Sequence, residues 1–181
     1  AVAAGGVIAL GQETRTPLSG DAATIFNIGV EYKQSLGMPP TWAAMVLRNR
    51  ATGVKKNFLL APQDNYAPDG AVYAYVGKLP VGSYDYYLEF RCGTQYARTD
   101  WEALQVYAIP VLSGPTFTTS AGKYTFKVNW EQADNLPVDE LTCVLIAPNG
   151  RATNLPMTTA GTTFSTGVTY ATAAQSLTGP G

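Results

Sequence analysis

Hydrophobic and polar residues alternate along most of this chain, in short runs that Gly, Pro, Asn or Asp separate. One run puts four large apolar side chains on a single face of an extended strand: Phe26, Ile28, Val30 and Tyr32. A second run does the same with Tyr84, Tyr86, Leu88 and Phe90. A period of two is typical of antiparallel strands with one buried face. The pattern therefore predicts an all-β protein, with a single helical turn at residues 99–104.

The chain resembles itself at a shift of 98 residues. The four apolar positions of the first run then fall, in the same phase, on Tyr124, Phe126, Val128 and Trp130. Met45 falls on Cys143 and, after a gap of one residue, Gly70 falls on Gly167. A repeat of about 100 residues is usual for a sandwich domain. We therefore expect two copies of one β-sandwich, residues 1–110 and 111–181, with the boundary near Pro110.

The second copy is shorter than the first. In the first copy the turn at residues 79–82 leads into a strand at 83–90, and a further strand follows at 104–109. The second copy reaches the equivalent turn at Leu177 and stops at Gly181. We expect it to lack its last two strands, one of them central. That central strand would bury side chains contributing roughly 5–10 kcal/mol, which rivals the whole stability of a small domain.

Residues 79–86 (LPVGSYDY) resemble the turn before the sixth strand in fibronectin type III and related immunoglobulin-like repeats. The wider run around them is similar to repeats of bacterial and archaeal extracellular surface proteins, including surface-layer proteins, adhesins and filaments. The resemblance implies two tandem immunoglobulin-like sandwiches at the cell surface. Such repeats often carry an acidic, calcium-binding loop after the tyrosine strand. Here that loop, residues 33–37, has no carboxylate, so no metal is expected.

Composition excludes several classes of function. Charged residues make up only 14% of the 181 residues, the formal net charge is −1, and histidine is absent. A basic nucleic-acid interface, a polybasic membrane surface and histidine-dependent catalysis are therefore not expected. The carboxylate pairs Asp64–Asp69 and Asp139–Glu140 are the candidates for acid–base chemistry. Asp139 and Glu140 are poorly arranged for it, because neighbours on a strand point to opposite faces, and Asp69-Gly70 is typical of a turn before a strand. We expect no catalytic residue, no cofactor and no enzyme.

Two cysteines, Cys92 and Cys143, lie on predicted core faces of different copies. Buried free thiols are the expected state, and a disulfide between them or between chains is the alternative.

The N-terminal segment, residues 1–10, is apolar but only half as long as a membrane-spanning helix. The chain begins with Ala, which suggests a processed, secreted protein. Two interpretations of this segment stay open. It is either the first strand of its own sandwich or a donor strand that completes the open sandwich of another copy. The donor would use the apolar side chains of Val2, Val7, Ile8 and Leu10.

The pattern does not settle which way Tyr75, Tyr87 and Tyr107 face, and these rings are candidates for a carbohydrate-binding platform. The leading functional hypothesis is a structural subunit of an extracellular filament, pilus-like thread or surface layer, whose partners are copies of itself or another chain. The alternative is an adhesin or carbohydrate-binding module from a longer surface protein. A third is an accessory domain of a secreted enzyme.

Overall fold

The computed structural model describes residues 6–64 and 70–176, and the regular secondary structure of these residues is strand apart from one short 3-10 turn. The predicted all-β class is confirmed. The chain divides into two compact units, Ala1–Tyr107 and Ala108–Gly181. No helix among the described residues is long and apolar enough to cross a membrane.

The helical turn expected over residues 99–104 is wrong. Strands end at Arg98 and begin again at Glu102, with an irregular link between them. The physical reason is the alternation of Leu104 and Val106, which point into the core and hold this segment extended.

Residues 6–64 and 70–107 of the first unit form ten strands in two sheets. Their bounds are β1 Ile8–Thr16, β2 Gly20–Asp21, β3 Phe26–Gln34, β4 Trp42–Asn49, β5 Lys55–Leu59, β6 Ala61–Pro62, β7 Ala71–Gly77, β8 Gly82–Cys92, β9 Gln95–Arg98 and β10 Glu102–Tyr107. One sheet has the order β1-β3-β7-β6 and the other β2-β10-β8-β4-β5, with β9 also paired to β8. All pairs are antiparallel except β2 with β10. Several packed sheets of this kind are compatible with a β-sandwich.

The two sheets of the first unit share one hydrophobic core. The alternating residues of β3 (Phe26, Ile28, Val30, Tyr32) and of β8 (Tyr84, Tyr86, Leu88, Phe90) are all buried, as the sequence pattern predicted. The Tyr32 and Phe90 rings stack with their centroids 5.2 Å apart, and Tyr73 meets both rings edge-on. Burying each large apolar side chain contributes roughly 1.5–3 kcal/mol, so this contact accounts for much of the unit's stability.

A partly buried polar link joins β1 to the opposite sheet. The Tyr86 hydroxyl donates a hydrogen bond to Glu13 Oε1, and the Arg15 guanidinium lies over the Tyr86 ring at 5.7 Å. Arg15 Nη1 donates to the Ala103 carbonyl oxygen at 2.5 Å. Burial raises the pKa of Glu13, although the Tyr86 hydroxyl partly offsets this. Burial also raises the pKa of Tyr86 well above its ordinary value, so its hydroxyl keeps the proton that it donates.

We expect Glu13→Gln to change how the stability of the first unit depends on pH. Since the pKa of Glu13 is higher in the folded state, the native unit binds this proton more tightly than the unfolded chain does. The resulting stability is complete below the ordinary pKa of 4.5 and is lost as the pH rises through the raised value. Glu13→Gln has no such proton. Urea unfolding across the acid range should therefore show wild type losing stability relative to Glu13→Gln as the pH rises. A difference that does not vary with pH would contradict this polar link.

The described part of the second unit, residues 108–176, forms six strands in one pairing network. Their bounds are β11 Val111–Ser120, β12 Lys123–Glu131, β13 Thr142–Ile146, β14 Ala152–Thr158, β15 Val168–Thr172 and β16 Gln175–Ser176. Their order is β11-β12-β15-β14-β13, and β16 pairs with β12 beyond the end of β15. A short 3-10 turn at Phe164–Thr166 precedes β15.

The second unit repeats the pairings of the first at the shift found in the sequence. Val30 lies opposite Tyr73 in β3–β7, and Val128 lies opposite Tyr170 in β12–β15. Met45 lies opposite Phe58 in β4–β5, and Cys143 lies opposite Leu155 in β13–β14. The one-residue gap falls in a turn, which Gly53 closes onto Asn49 in the first unit and Gly150 closes onto Ala147 in the second. Residues related in this way are called counterparts below.

A glutamine builds the same corner in both units. Gln34 is the last residue of β3, and Gln132 directly follows β12. Gln34 Oε1 accepts hydrogen bonds from the backbone N–H groups of Leu36, at 2.7 Å, and Met38, at 3.4 Å. Its buried counterpart Gln132 accepts from Asp134 at 2.6 Å and Leu136 at 3.4 Å. The positive-φ residue of the turn is Gly37 in one unit and Asn135 in the other, the two residue types that best tolerate that conformation. The two units therefore share local structure as well as strand order.

Candidate functional site

The inner face of β12 is only half-buried, whereas its counterpart in β3 is fully buried. The residues concerned are Tyr124, Phe126, Val128 and Trp130, against Phe26, Ile28, Val30 and Tyr32. In the first unit, β8 and β10 of the opposite sheet cover these side chains. No strand among the described residues of the second unit corresponds to β8 or β10. The difference in burial therefore follows from the missing cover and not from the sequence of the strand.

Other apolar side chains extend this uncovered surface. Phe117 of β11 is 60% exposed, and its ring lies 6.1 Å from that of Tyr124 and 6.3 Å from that of Phe126. The buried hydrophobic residues of the second unit, among those described, are only Leu155, Met157 and Tyr170. We call the surface formed by Phe117, Tyr124, Phe126, Val128, Trp130 and Cys143 the open face. Contiguous apolar surface of this kind is typical of an interaction site.

One edge of the open face is a strand with an unused side. Met157 N–H donates to the Leu141 carbonyl at 2.8 Å, and Ala147 N–H donates to the Arg151 carbonyl at 2.9 Å. Odd-numbered residues of β13 thus turn their backbone groups toward β14, and the groups of Val144 point the other way. Within the described part of the chain, nothing pairs with that side of β13. The corresponding side of β4 carries β8 along its whole length.

The outward face of β8 in the first unit carries a second cluster, which the sequence pattern did not reveal. The Tyr87 and Trp101 rings meet edge-to-face with centroids 4.5 Å apart. The Arg98 guanidinium lies 5.1 Å from the Tyr87 centroid, and that of Arg48 lies 4.5 Å from the Trp101 centroid. The ring faces are thus occupied by cations of the same unit.

Two carboxylates complete this outward cluster. Arg48 and Arg50 bind Asp85 at 2.6 and 2.5 Å, and their hydrogen bonds lower the pKa of that carboxyl. Glu89 is buried and accepts hydrogen bonds from Trp42 Nε1 at 2.9 Å and the Tyr96 hydroxyl at 3.3 Å. The alternation of apolar residues along the strands does not predict these contacts, because Trp101 lies in the irregular link between β9 and β10.

The structure does not bring the three candidate ligand-facing tyrosines together. Tyr75 packs against the core and the Phe58 ring, and its hydroxyl donates to the Lys78 carbonyl at 2.8 Å. Tyr87 lies in the outward cluster on β8. Tyr107 is half-buried at the end of β10, opposite Asp21. These positions are on three different strands, and no ring contact among the described residues joins any two of them.

The candidate donor residues divide between two environments. Ile8 and Leu10 lie in β1, pair with Gln34 and Tyr32 of β3, and pack against the core of their own unit. Val7 is 70% exposed just before that strand. Val2 lies outside the described residues. In this arrangement β1 serves its own sheet, and a donor role would require it to leave β3.

Both cysteines are free, but their burial differs. Cys92 is buried, as expected, and Cys143 is only half-buried because the open face lacks cover. Asp69 lies outside the described residues, and Asp64 accepts a hydrogen bond from the Val72 N–H at 3.2 Å. Within residues 6–64 and 70–176, no three His, Cys, Asp or Glu side chains lie close enough to hold a metal ion.

No protein-family model matches the chain, and no curated protein matches it.

Counterpart substitutions should show that the open face lacks cover. We expect Val30→Ala to lower the free energy of unfolding of the first unit by about 2 kcal/mol, because it removes two methyl groups from a closed core. Val128→Ala should cost the second unit less than about half of that, because Val128 is half-buried. Hydrogen exchange followed by mass spectrometry reports on β3 and β12 separately. Equal costs at the two positions would mean that the face of β12 is already covered.

Proposed function

We propose that this chain is a non-enzymatic structural subunit of an extracellular assembly, in which another chain covers the open face of the second unit. The observation that carries the proposal is the contrast between β3 and β12. The same four alternating positions are sealed in one unit and half-exposed in the other. We interpret the units as tandem immunoglobulin-like repeats, the first closed and the second completed in the assembly.

Energetics support an added strand. Large half-buried side chains such as Phe126 and Trp130 gain free energy when their remaining apolar surface leaves water, at about 25 cal/mol per Å². The unused side of β13 gains backbone hydrogen bonds from the same event. An extended segment of a neighbouring chain satisfies both requirements, whereas a globular surface would satisfy only the first.

The different surfaces of the two units favour a head-to-tail assembly. The open face belongs to the second unit, and the first unit has no such face because β8 covers it. An interface between unlike surfaces propagates into a thread or layer unless the rotation closes a ring. Support for the adhesin or carbohydrate-binding alternative is weaker, because Arg98 and Arg48 already occupy the ring faces of Tyr87 and Trp101.

Self-association of the full chain tests the proposal. We expect the mean mass in light scattering to rise with protein concentration in the micromolar range. Val128→Asp should abolish the rise, because it places a charge on the open face. The matched control is Thr125→Asp, on the opposite face of the same strand, which should leave association unchanged.

Two results would overturn the proposal. One is a folded wild-type chain that stays monomeric throughout this range. The other is association that Val128→Asp and Thr125→Asp reduce equally.

A further inference from the structure

The first unit shows what kind of element covers the face that the second unit leaves open. In the first unit, β8 does two things at once: it pairs with β4 and sends every second side chain onto β3. The second unit retains the counterparts of β4 and β3, which are β13 and β12. The pairings that connect these two strands are also retained, since Leu60 N–H donates to the Ala43 carbonyl at 3.0 Å and its counterpart Met157 donates to Leu141 at 2.8 Å. Further along, Ala61 lies opposite Ala74 in β6–β7, and the counterpart residues Thr158 and Ala171 lie opposite each other in β14–β15.

We infer that the open face is a site for one extended segment of another chain, which pairs antiparallel with the unused side of β13 in the register of β4–β8. This inference rests on the proposed function and names the geometry and chemistry of the partner. In the first unit Met45 lies opposite Leu88, and Val46 lies opposite Tyr87. The counterparts place Cys143 opposite the position of Leu88 in the incoming segment, and Val144 opposite the position of Tyr87.

The register defines the side chains that the segment carries. Positions equivalent to Tyr86, Leu88 and Phe90 face the open face and must be large and apolar, because they replace side chains that are fully buried in the first unit. The outward positions differ from β8. Asp85 of β8 pairs with Arg48, but the counterpart of Arg48 is Ile146, which is 73% exposed. The segment therefore needs no carboxylate at the position of Asp85, and an uncharged residue fits better there.

The alternation of hydrogen-bonded and non-hydrogen-bonded pairs along β13 defines the register further. Val144 turns its backbone N–H toward the incoming segment, whereas Cys143 belongs to the alternate, non-hydrogen-bonded pairs on that side. In such pairs the Cα atoms lie about 4.5 Å apart, a separation that a disulfide spans. The native thiol of Cys143 is therefore placed to report which residue of a bound segment lies opposite it.

A set of activated peptides tests the register. Each peptide copies residues 82–92 with Asp85→Asn and Cys92→Ser and carries one cysteine as a thiopyridyl disulfide, at the position of Tyr86, Leu88 or Phe90. The Cys143 thiolate attacks the peptide sulfur, forms the new S–S bond and expels thiopyridone, whose absorbance measures the rate. Mass spectrometry locates the bridge, and Cys92 of the protein is buried. The protein is the full chain, below the concentration at which it associates.

We expect the Leu88→Cys peptide to react about tenfold faster than the other two, because only its sulfur is held beside Cys143. In the full chain, Val144→Pro should remove this preference by deleting the N–H that pairs with the segment. Val144→Ala is the matched control, and it should keep the preference.

Equal rates for the three peptides would overturn the register. If equal rates accompany self-association that depends on Val128, the proposed function stands and this geometry falls. If association is also absent, both fall.

Discussion

The contact between the inner faces of β3 and β8 is the interaction on which the closed unit depends. These strands lie in different sheets and are far apart in sequence, yet each presents four large side chains in phase with the other. The Tyr32–Phe90 stack, 5.2 Å between centroids, lies in this contact. Without this contact each sheet would expose a row of large apolar side chains to water. The hydrogen bond from the Tyr86 hydroxyl to Glu13 of β1 joins a further strand to the same core.

The second unit keeps its backbone pairings without that contact, so pairing and core packing are separable in this chain. The corner glutamines explain part of this. Gln34 and Gln132 bind backbone N–H groups two and four residues further along the chain, so each corner forms from its own segment. The pairing of β13 with β14 is similarly local, because only a short turn separates them. A partner segment would therefore meet a frame that is already ordered, which lowers the entropy cost of docking.

The sequence was sufficient for the features that depend on periodicity. Alternation at Phe26–Tyr32 and Tyr84–Phe90 predicted two core strands, and the shift of 98 residues predicted counterpart pairs that lie in the same register. It failed where the outcome depends on elements distant in sequence. Cys143 has the apolar phase of a core residue but is half-buried, because its cover would belong to a different strand.

The outward cluster of the first unit was equally hidden from the sequence. Trp101 meets Tyr87 only because β9 and β10 both pair with β8 on either side of the irregular link. The unused side of β13 was also hidden from the sequence. A pattern of apolar residues does not show which residues of a strand turn their backbone N–H and C=O groups toward a given neighbour. The alternation of apolar residues along a strand therefore reveals which face of the strand is buried, but not which neighbouring element covers that face.

The chemistry of the sheet edges bears on what the open face is for. In the first unit, β5 ends one sheet and carries Lys55 and Lys56, while β6 ends the other and contains Pro62. Charged residues and proline are the usual means by which a strand edge avoids pairing with other chains. β13 ends its sheet with the uncharged sequence Thr142–Ile146, beside the open face. An unprotected edge next to an uncovered face would be a liability in a free unit, whereas it is the arrangement expected if the proposed segment pairs with β13.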